Sequence, residues 1–236
     1  FKNADAIDYS FIPICASGKN TSIVHHQASA DIIRGDALFL FDAGFHFKNS
    51  TTDVTRVIYI GNRPSPLYQK VYTTILKAII HYSTARFPSG TKGSCLDSIC
   101  RYCMWQNSMD YYFGTGHGVG NYRSVHQRPA ISGGSNDKIT GNMVTTIEPG
   151  YYTDDFGIRL ENMLASVEEQ DGYVVFETIT HIPFCYKLID FEMLEPKEIA
   201  WLDNYNKRVL DEYWQLFGAD KIAIDWLKEN TRKIRQ

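Results

Sequence analysis

Residues 36–44 (DALFLFDAG) and 53–61 (DVTRVIYIG) decide the fold of this chain. The first segment is an apolar run that ends in a carboxylate and a turn, and this pattern predicts a buried strand with Asp42 at its end. The second segment is rich in β-branched residues, which favour strands. Because a polar turn at residues 48–52 separates the two segments, they are predicted to form an antiparallel hairpin.

Helices and further strands alternate along the rest of the chain. Apolar residues recur at helical spacing after Ser65, which is placed to cap the helix that follows it. The pattern predicts helices over residues 67–87, 93–109 and from 195 onward, and strands over residues 143–148, 157–167 and 172–180. This order of elements predicts an α/β or α+β chain with a helical tail.

The composition argues against two classes of partner. The chain has 236 residues, with 24 Lys and Arg against 27 Asp and Glu and a formal charge of −3. Surfaces for nucleic acids or anionic membranes need a basic excess, and no apolar run approaches the ~18 residues of a membrane helix. We therefore expect no nucleic-acid or membrane partner. Five cysteines, an odd number, suit a reducing compartment, so we expect a cytoplasmic protein.

Cys95, Cys100 and Cys103 allow two interpretations. Their local spacing is shared with some iron–sulfur ligand loops. However, they lie in a segment where apolar residues recur at helical spacing, which favours a buried helix. The helix is the interpretation we favour.

Four carboxylates and one imidazole carry the chemistry that the sequence indicates. Each lies at the edge of a predicted strand or beside glycine: Asp42, Asp53, His117, Glu148 and Glu161. Taken singly, each could serve as a turn former, a cap or a loop histidine. Four carboxylates packed together would repel one another unless cations lay between them. As a set they are the hard-oxygen donors that hold two divalent metals, which predicts metal-assisted hydrolysis.

Six ordered motifs give the chain its resemblance to a known family. They are FDAG at 41–44, TTDVTR at 51–56, GTGHGVG at 114–120, VH at 125–126, IEPGYY at 147–152 and GIRLEN at 157–162. With these motifs the chain resembles the pita-bread metallopeptidases. The resemblance implies an α+β pita-bread (creatinase/aminopeptidase-like) fold, in which helices cover a curved antiparallel sheet and a helical tail follows.

The C-terminal third narrows the resemblance to one branch. FETIT at 176–180, Pro183, LID at 188–190 and the segment from Trp201 to Tyr205 are similar to aminopeptidase P (Xaa-Pro aminopeptidase) of the cytosolic three-domain type. The resemblance implies a dinuclear metallo-aminopeptidase that releases the N-terminal residue from peptides with proline in the second position. The alternatives are a prolidase-type Xaa-Pro dipeptidase, another two-metal hydrolase and a non-catalytic pita-bread binding module.

The resemblance also implies a role for each ligand. Asp42 chelates one of two divalent metals, Asp53 and Glu161 bridge both, and His117 and Glu148 complete the other site. The family suggests Mn(II) as the metal. A hydroxide activated by the two metals attacks the scissile carbonyl, and Glu148 carries the proton to the leaving nitrogen.

Four further positions are expected at the substrate. His25 and His126 match catalytic and substrate-binding histidines, of which His126 would hydrogen-bond the substrate carbonyl or the tetrahedral intermediate. The alternative for both is a surface loop histidine. Arg159 resembles an arginine that orients the carboxylates. Phe113 stands where the family usually has a histidine, beside the subsite that holds proline.

Two other departures from the family pattern lie near these positions. Gln127 and Arg128 replace the usual Glu and Gly, which predicts a positive charge near the cleft in place of a negative one. His26 stands where a tyrosine is common. Neither departure removes a metal ligand.

Residues 1–194 are expected to form the catalytic domain, and residues 195–236 a C-terminal helical extension packed on it. Because the first residue is not methionine, we expect a fragment whose N-terminal part is missing. The extension concentrates aromatic residues: Trp201, Tyr205, Tyr213, Trp214 and Phe217. They either cap the core of this chain or, as the resemblance implies, contribute to a homodimer.

Overall fold

The structure is a computed structural model that describes residues 5–122, 124–217 and 220–234, without the side chains of residues 215–217. The hairpin predicted from residues 36–44 and 53–61 is present in it and is called the central hairpin below. The strands among the described residues are β1 (Asp8–Tyr9), β2 (Ile14–Ser17), β3 (Ala37–Ala43), β4 (Phe45–Phe47), β5 (Ser50–Thr51), β6 (Val54–Ile60), β7 (Phe87–Pro88), β8 (Thr91–Lys92), β9 (Gly116–Gly118), β10 (Gln127–Ile131), β11 (Lys138–Ile139), β12 (Val144–Ile147), β13 (Gly150–Tyr152), β14 (Gly157–Arg159), β15 (Asn162–Glu168) and β16 (Tyr173–Thr178). The helices are α1 (Pro66–Ser83), α2 (Gly93–Trp105), α3 (Pro196–Phe217) and α4 (Lys221–Thr231).

Antiparallel pairing joins these strands into sheets. β3 lies between β2 and β6, and the register that sets Ala37 opposite Ile60 confirms the predicted hairpin. A larger sheet of six strands has the order β10-β9-β12-β15-β16-β7. Smaller groups, β1-β4-β5, β8-β11 and β13-β14, complete the pairing among the described residues. Antiparallel sheets with helices packed on them make this an α+β fold, as predicted.

Helix α1 begins as predicted but ends early. The Ser65 hydroxyl accepts a hydrogen bond from the amide of Tyr68 at 3.3 Å, which is an N-cap. The helix ends at Ser83 rather than at Phe87. Phe87 instead pairs with Val174 of β16. The helical conformation is disfavoured for a residue that precedes proline, and the edge of β16 offers hydrogen-bond partners to an extended chain.

Helix α2 ends at Trp105, four residues before the predicted end. Ser108 has a positive φ of 56°. The amide of Met109 bonds to the carbonyl of Met104 at 3.1 Å and that of Ser108 to the carbonyl of Trp105 at 2.9 Å, a Schellman motif that closes the helix. The helical interpretation of the cysteines is confirmed, because Cys100 and Cys103 are buried on α2 and Cys95 is exposed.

The strand predicted over residues 157–167 is two strands in the structure. β14 pairs with β13, whereas β15 pairs with β12 and β16. Leu160 and Glu161 lie at the change from one sheet to the other. There the amide of Glu161 bonds to the carbonyl of Thr55 in the central hairpin at 3.1 Å. This break lets a carboxylate at position 161 face the hairpin.

Helix α3 packs on α4 and on α1. Tyr205 is buried and Trp201 stacks on its ring, with centroids 5.2 Å apart, so part of the aromatic tail belongs to the core of this chain. Trp214 is 46% exposed, and the side chain of Phe217 lies outside the described residues. None of the described helices combines the length and the apolar character needed to cross a bilayer.

Strand β9 requires glycine because it is enclosed on both sides. A methyl group on Gly118 would lie 2.1 Å from the carbonyl oxygen of Arg128 in β10, and one on Gly116 would lie 2.2 Å from that of Thr146 in β12. Only a residue without a side chain allows the backbones to approach this closely.

Replacing Gly118 with alanine tests this constraint. Because the methyl group would collide with backbone, we expect Gly118→Ala to lower the free energy of unfolding by at least about 2 kcal/mol. Urea unfolding would measure it. Gly134→Ala is the matched control, since a methyl group there meets no atom within 4 Å. Equal stability losses in the two variants would show that β9 can move aside.

Candidate metal centre

The five predicted ligand residues line one cavity of about 660 Å³. They come from well separated parts of the chain and mostly from strand ends. Asp42 lies in β3, Asp53 just before β6, His117 in β9, Glu148 directly after β12 and Glu161 at the break between β14 and β15. Because antiparallel strands from different sheets end at this point, their polar residues converge on one volume.

His117 presents a ring nitrogen to two carboxylates. Its Nε2 atom lies 3.3 Å from Oε1 of Glu148 and 3.5 Å from Oδ2 of Asp53. Its Nδ1 atom lies 3.0 Å from the carbonyl oxygen of Gly118. Since a carbonyl only accepts hydrogen bonds, Nδ1 carries a hydrogen, and in the neutral ring the lone pair of Nε2 faces the carboxylates.

Three buried side-chain atoms of the cavity lack hydrogen-bond partners, and their chemistry suits ligands of divalent cations. Oδ1 of Asp42, Nε2 of His117 and Oε1 of Glu161 are buried without a hydrogen-bond partner among the described residues. Such atoms are costly to bury unless something binds them. Two sets of three residues can each offer ligand atoms that lie within 4.8 Å of one another inside the set. The first set is Asp53, His117 and Glu161, and the second is His117, His126 and Glu148. His117 belongs to both sets.

The raised pKa values of the carboxylates also favour bound cations in the cavity. Burial raises the pKa of Asp53 to about 7, and the neighbouring charge of Asp42 adds to the rise. Burial, with the charge of Asp53 second, raises the pKa of Glu161 well above its ordinary value. The pKa of Asp42 is also raised by burial, although Arg159 opposes the shift. Without cations the cluster therefore holds protons rather than its full negative charge.

Burial and the neighbouring carboxylates have opposite effects on His117. Burial lowers its pKa, but the Glu148 carboxylate, 3.3 Å from Nε2, and the charge of Asp53 outweigh the effect, so the pKa is raised. The neighbouring carboxylates therefore make the ring bind a proton more tightly than a free imidazole does. A divalent cation would displace that proton, because it binds the same Nε2 lone pair.

Arg159 holds the carboxylates in place from the side of β14. Its guanidinium is buried and donates from Nη2 to Oδ2 of Asp42 at 2.5 Å. Its Nε donates to the hydroxyl of Thr55 at 3.1 Å, and this hydroxyl donates to Oε2 of Glu161 at 3.0 Å. Arg159 also donates to the hydroxyl of Tyr152. These bonds leave the second oxygen of each carboxylate free to face the cavity.

No role is predicted from the sequence for Thr55, Arg56 or Tyr152, although all three lie inside the six ordered motifs. Thr55 is two residues after Asp53, a spacing that puts both on one face of a strand. That spacing was the available signal for Thr55. Arg56 gave no comparable signal, because its side-chain partners Asn162 and Tyr205 are distant in sequence. Tyr152 contacts Arg159, seven residues further on, through the pairing of β13 with β14.

The predicted substrate residues also surround the cavity. His25, His126 and Phe113 line it, and both histidines are exposed. The ring of His126 stands perpendicular to that of His117, with centroids 4.4 Å apart. Burial and the neighbouring His117 lower the pKa of His126. Phe113 packs edge-on against Tyr152, with centroids 5.7 Å apart.

The positive charge expected near the cleft does not line the cavity. Gln127 lines the cavity, but the side chain of Arg128 is 88% exposed and pairs with Asp137 at 2.8 Å. Successive residues of a strand point to opposite faces, so only one of the two can face the site. His26 is buried, and its Nδ1 atom lies 3.1 Å from the carbonyl oxygen of Cys15.

Comparison with known proteins identifies the family. Residues 1–168 match the sequence model of metallopeptidase family M24, and residues 172–234 match that of the C-terminal region of peptidase M24. The chain is 39% identical to a probable Xaa-Pro aminopeptidase P of Pyricularia oryzae over 247 residues, which cover 98% of this chain and 40% of that protein. The chain thus spans about 40% of the length of the curated relatives it matches.

Solved structures confirm the pita-bread fold. The X-prolyl aminopeptidase of Caenorhabditis elegans, described as a cytosolic enzyme with a di-nuclear active site, superimposes with a TM-score of 0.91 at 31% identity, over 98% of this chain and 40% of that one. The prolidase of Pyrococcus furiosus gives a TM-score of 0.69 at 28% identity, over 77% of this chain and 52% of that one. The resemblance to the aminopeptidase P branch is confirmed as well.

The raised carboxylate pKa values predict an unusual dependence of stability on pH. From about pH 4 to pH 7 the folded, metal-free protein holds protons that the unfolded chain has released, so the free energy of unfolding falls as pH rises. Asp53→Asn removes one of these groups, and we expect a shallower fall between pH 5 and pH 8, measured by urea unfolding in chelator. The matched control is Asp154→Asn at an exposed position. A wild-type slope in Asp53→Asn would contradict the assignment.

Proposed function

This chain belongs to metallopeptidase family M24, and we propose that it carries the active site of a metal-dependent exopeptidase that releases the N-terminal residue from peptides with proline second. One observation carries the proposal. Four carboxylates and His117 converge on one cavity. In it, Asp42, His117 and Glu161 each have a buried oxygen or nitrogen atom without a hydrogen-bond partner among the described residues.

Five residues are proposed to hold two divalent cations. Asp42 and Asp53 would bind from the central hairpin, Asp53 and Glu161 would be shared between the cations, and His117 and Glu148 would complete the second site; all five line the cavity. The oxygen-rich set suits Mn(II), which is the metal we propose. When bound, the two cations polarise the scissile carbonyl and lower the pKa of a water molecule.

Glu148 is proposed to move the proton that the reaction requires. The nitrogen of proline in an Xaa-Pro bond has no hydrogen and must be protonated before it can leave as an amine. Glu148 lies on the cavity wall, and its amide donates to the carbonyl of Thr115 at 2.7 Å, which fixes its backbone. Its carboxylate can take a proton from the attacking water and return it to the proline nitrogen.

His126 and His25 are proposed to bind the substrate carbonyl and the developing oxyanion. Both line the cavity and reach it from its exposed side. An imidazole N–H aimed at the oxyanion stabilises the tetrahedral intermediate more than the ground state. Phe113 contributes an apolar wall for the proline ring, and its edge-on contact with Tyr152 keeps the wall in place.

Coverage of the solved structures favours an aminopeptidase over a dipeptidase. The chain matches the Caenorhabditis elegans X-prolyl aminopeptidase over 98% of its length, but the Pyrococcus furiosus prolidase over only 77%. The description of the former as a cytosolic enzyme supports a cytoplasmic location for this chain. The complete set of ligand residues argues against a non-catalytic binding module.

A homodimer through the C-terminal region is part of the proposal. Trp214 and Trp226 of helices α3 and α4 are 46% and 43% exposed, and exposed tryptophans are typical of interfaces. Light scattering over a concentration series would measure the association. A monomer at every concentration would contradict the dimer and leave the proposed activity untouched.

Hydrolysis of the tripeptide Arg-Pro-Pro tests the activity directly. We expect release of free arginine that stops after chelation and returns when Mn(II) is restored, because the cavity needs cations to neutralise its carboxylates. Chromatography of the products would measure it. Arg-Ala-Ala is the control peptide, and Gly-Pro tests the dipeptidase alternative. Hydrolysis of Gly-Pro alone would identify a prolidase, and no hydrolysis with two metals bound would favour a binding role.

Substitution of the shared carboxylates tests the ligand assignment. Asp53→Ala and Glu161→Ala each remove a group placed between the two cations, so we expect each to lose the metal pair and to reduce turnover by at least about 100-fold. Metal content after dialysis and kcat for the tripeptide are the measurements. Asp154→Ala, at an exposed position, controls for loss of charge. Full turnover in either site variant would refute the shared role.

A further inference from the structure

A single buried arginine connects the C-terminal region to the candidate metal centre. Arg56 follows Thr55 in β6 and is 8% exposed. Its Nη1 atom donates to the carbonyl oxygen of Glu161 at 2.5 Å and to that of Thr55 at 2.9 Å. Because successive residues of a strand face opposite sides of the sheet, Arg56 contacts Glu161 from the side that faces away from the cavity.

A second nitrogen of this guanidinium bonds to residues that follow Glu161 in the chain. Nη2 donates to Oδ1 of Asn162 at 2.7 Å and to the hydroxyl of Tyr205 in α3 at 3.0 Å. It also lies 2.9 Å from the carbonyl oxygen of Ile182. The guanidinium therefore touches the residue after Glu161, the segment after β16 and helix α3.

Arg56 makes no ion pair with a described carboxylate, so neutral groups satisfy its charge. The ring of Phe184 lies under the guanidinium, 4.4 Å from its centroid. A buried guanidinium is stable only when its hydrogens find acceptors. Loss of one acceptor should therefore change where Arg56 lies.

The Tyr205 hydroxyl is an acceptor that a helix supplies from a distance. It accepts from Arg56 and from the amide of Ile182 at 3.1 Å. Its own hydrogen can go to the carbonyl of Ile182 at 2.8 Å or to that of Thr180 at 3.0 Å. Stacking on Trp201 orients the ring. The hydroxyl thus fixes Arg56 and the segment behind Glu161 together.

Glu161 has particular need of such support. It lies between two strands, at the change of sheet, and Arg56 and Thr55 hold its backbone to the central hairpin through its carbonyl and its amide. We infer that Tyr205 is a positioning residue for Glu161, acting through Arg56, so that helix α3 is part of the metal centre's support. The inference rests on the proposed role of Glu161 as a metal ligand.

Removal of one hydroxyl tests the inference without activity as the sole readout. Tyr205→Phe keeps the ring and its stacking, and we expect it to weaken Mn(II) binding to the stripped protein about tenfold, the lower end of what outer partners of ligands contribute. Calorimetric titration measures the affinity, and Mn(II) electron paramagnetic resonance reports the geometry of the pair. Raising the Mn(II) concentration should restore much of the lost turnover.

Tyr186→Phe is the matched control. Tyr186 is a buried tyrosine whose hydroxyl donates to the carbonyl of Arg232 and accepts from Nδ2 of Asn206 at 2.8 Å. It therefore anchors the same C-terminal region without touching Arg56. We expect Tyr186→Phe to lower the melting temperature and to leave Mn(II) affinity at the wild-type value.

A double-mutant cycle separates the route through Arg56 from general loosening. Arg56→Lys should weaken Mn(II) binding more than Tyr205→Phe does, and adding Tyr205→Phe to it should have little further effect. Wild-type Mn(II) affinity in Tyr205→Phe, or an equal loss in Tyr186→Phe, would overturn the inference alone. A wild-type protein that binds no metal pair would instead overturn the proposed function, and the inference with it.

Discussion

Mutual repulsion among buried carboxylates is the constraint on which the rest of this structure depends. Asp42, Asp53 and Glu161 are each less than a tenth exposed, and burial raises the pKa of all three. Carboxylates in such a place need cations, protons or arginine beside them. Arg159 supplies one positive charge to Asp42. The buried carboxylate oxygens without hydrogen-bond partners are available to metal ions, which would supply the remaining positive charge.

The backbone is shaped to bring these groups together. The close approach of β9 to its two neighbours, which only glycine at 116 and 118 permits, places His117 between Asp53 and Glu148. The break after β14 turns Glu161 toward the central hairpin. Two arginines then fix the carboxylates from opposite sides, Arg159 through side chains and Arg56 through the backbone. Rigidity of this kind is what a site of two metals needs.

Local sequence signals predicted the elements better than their ends. The alternation of apolar and β-branched residues sufficed for the central hairpin, because its pairing is fixed over a short separation. The ends of α1 and α2 were missed because a β-pairing partner and a serine with positive φ end them. A partner strand distant in sequence and a positive φ at a serine have no reliable local signature, and Pro88 was the one local signal near the end of α1. The direction of the Arg128 side chain was not predicted, because strand alternation depends on a register that the motif alone does not reveal.

The sequence by itself determined the chemistry available: which carboxylates and imidazoles accompany which glycines, and through the ordered motifs, the family and its fold. Only the tertiary structure decided how these groups support one another. Arg159 reaches Asp42 across 117 residues, and Tyr205 reaches Arg56 across 149. Such bonds depend on how sheets and helices pack, which no local pattern encodes. The physical reason is that side-chain hydrogen bonds act over about 3 Å, whereas sequence periodicity reports only on neighbouring turns and strands.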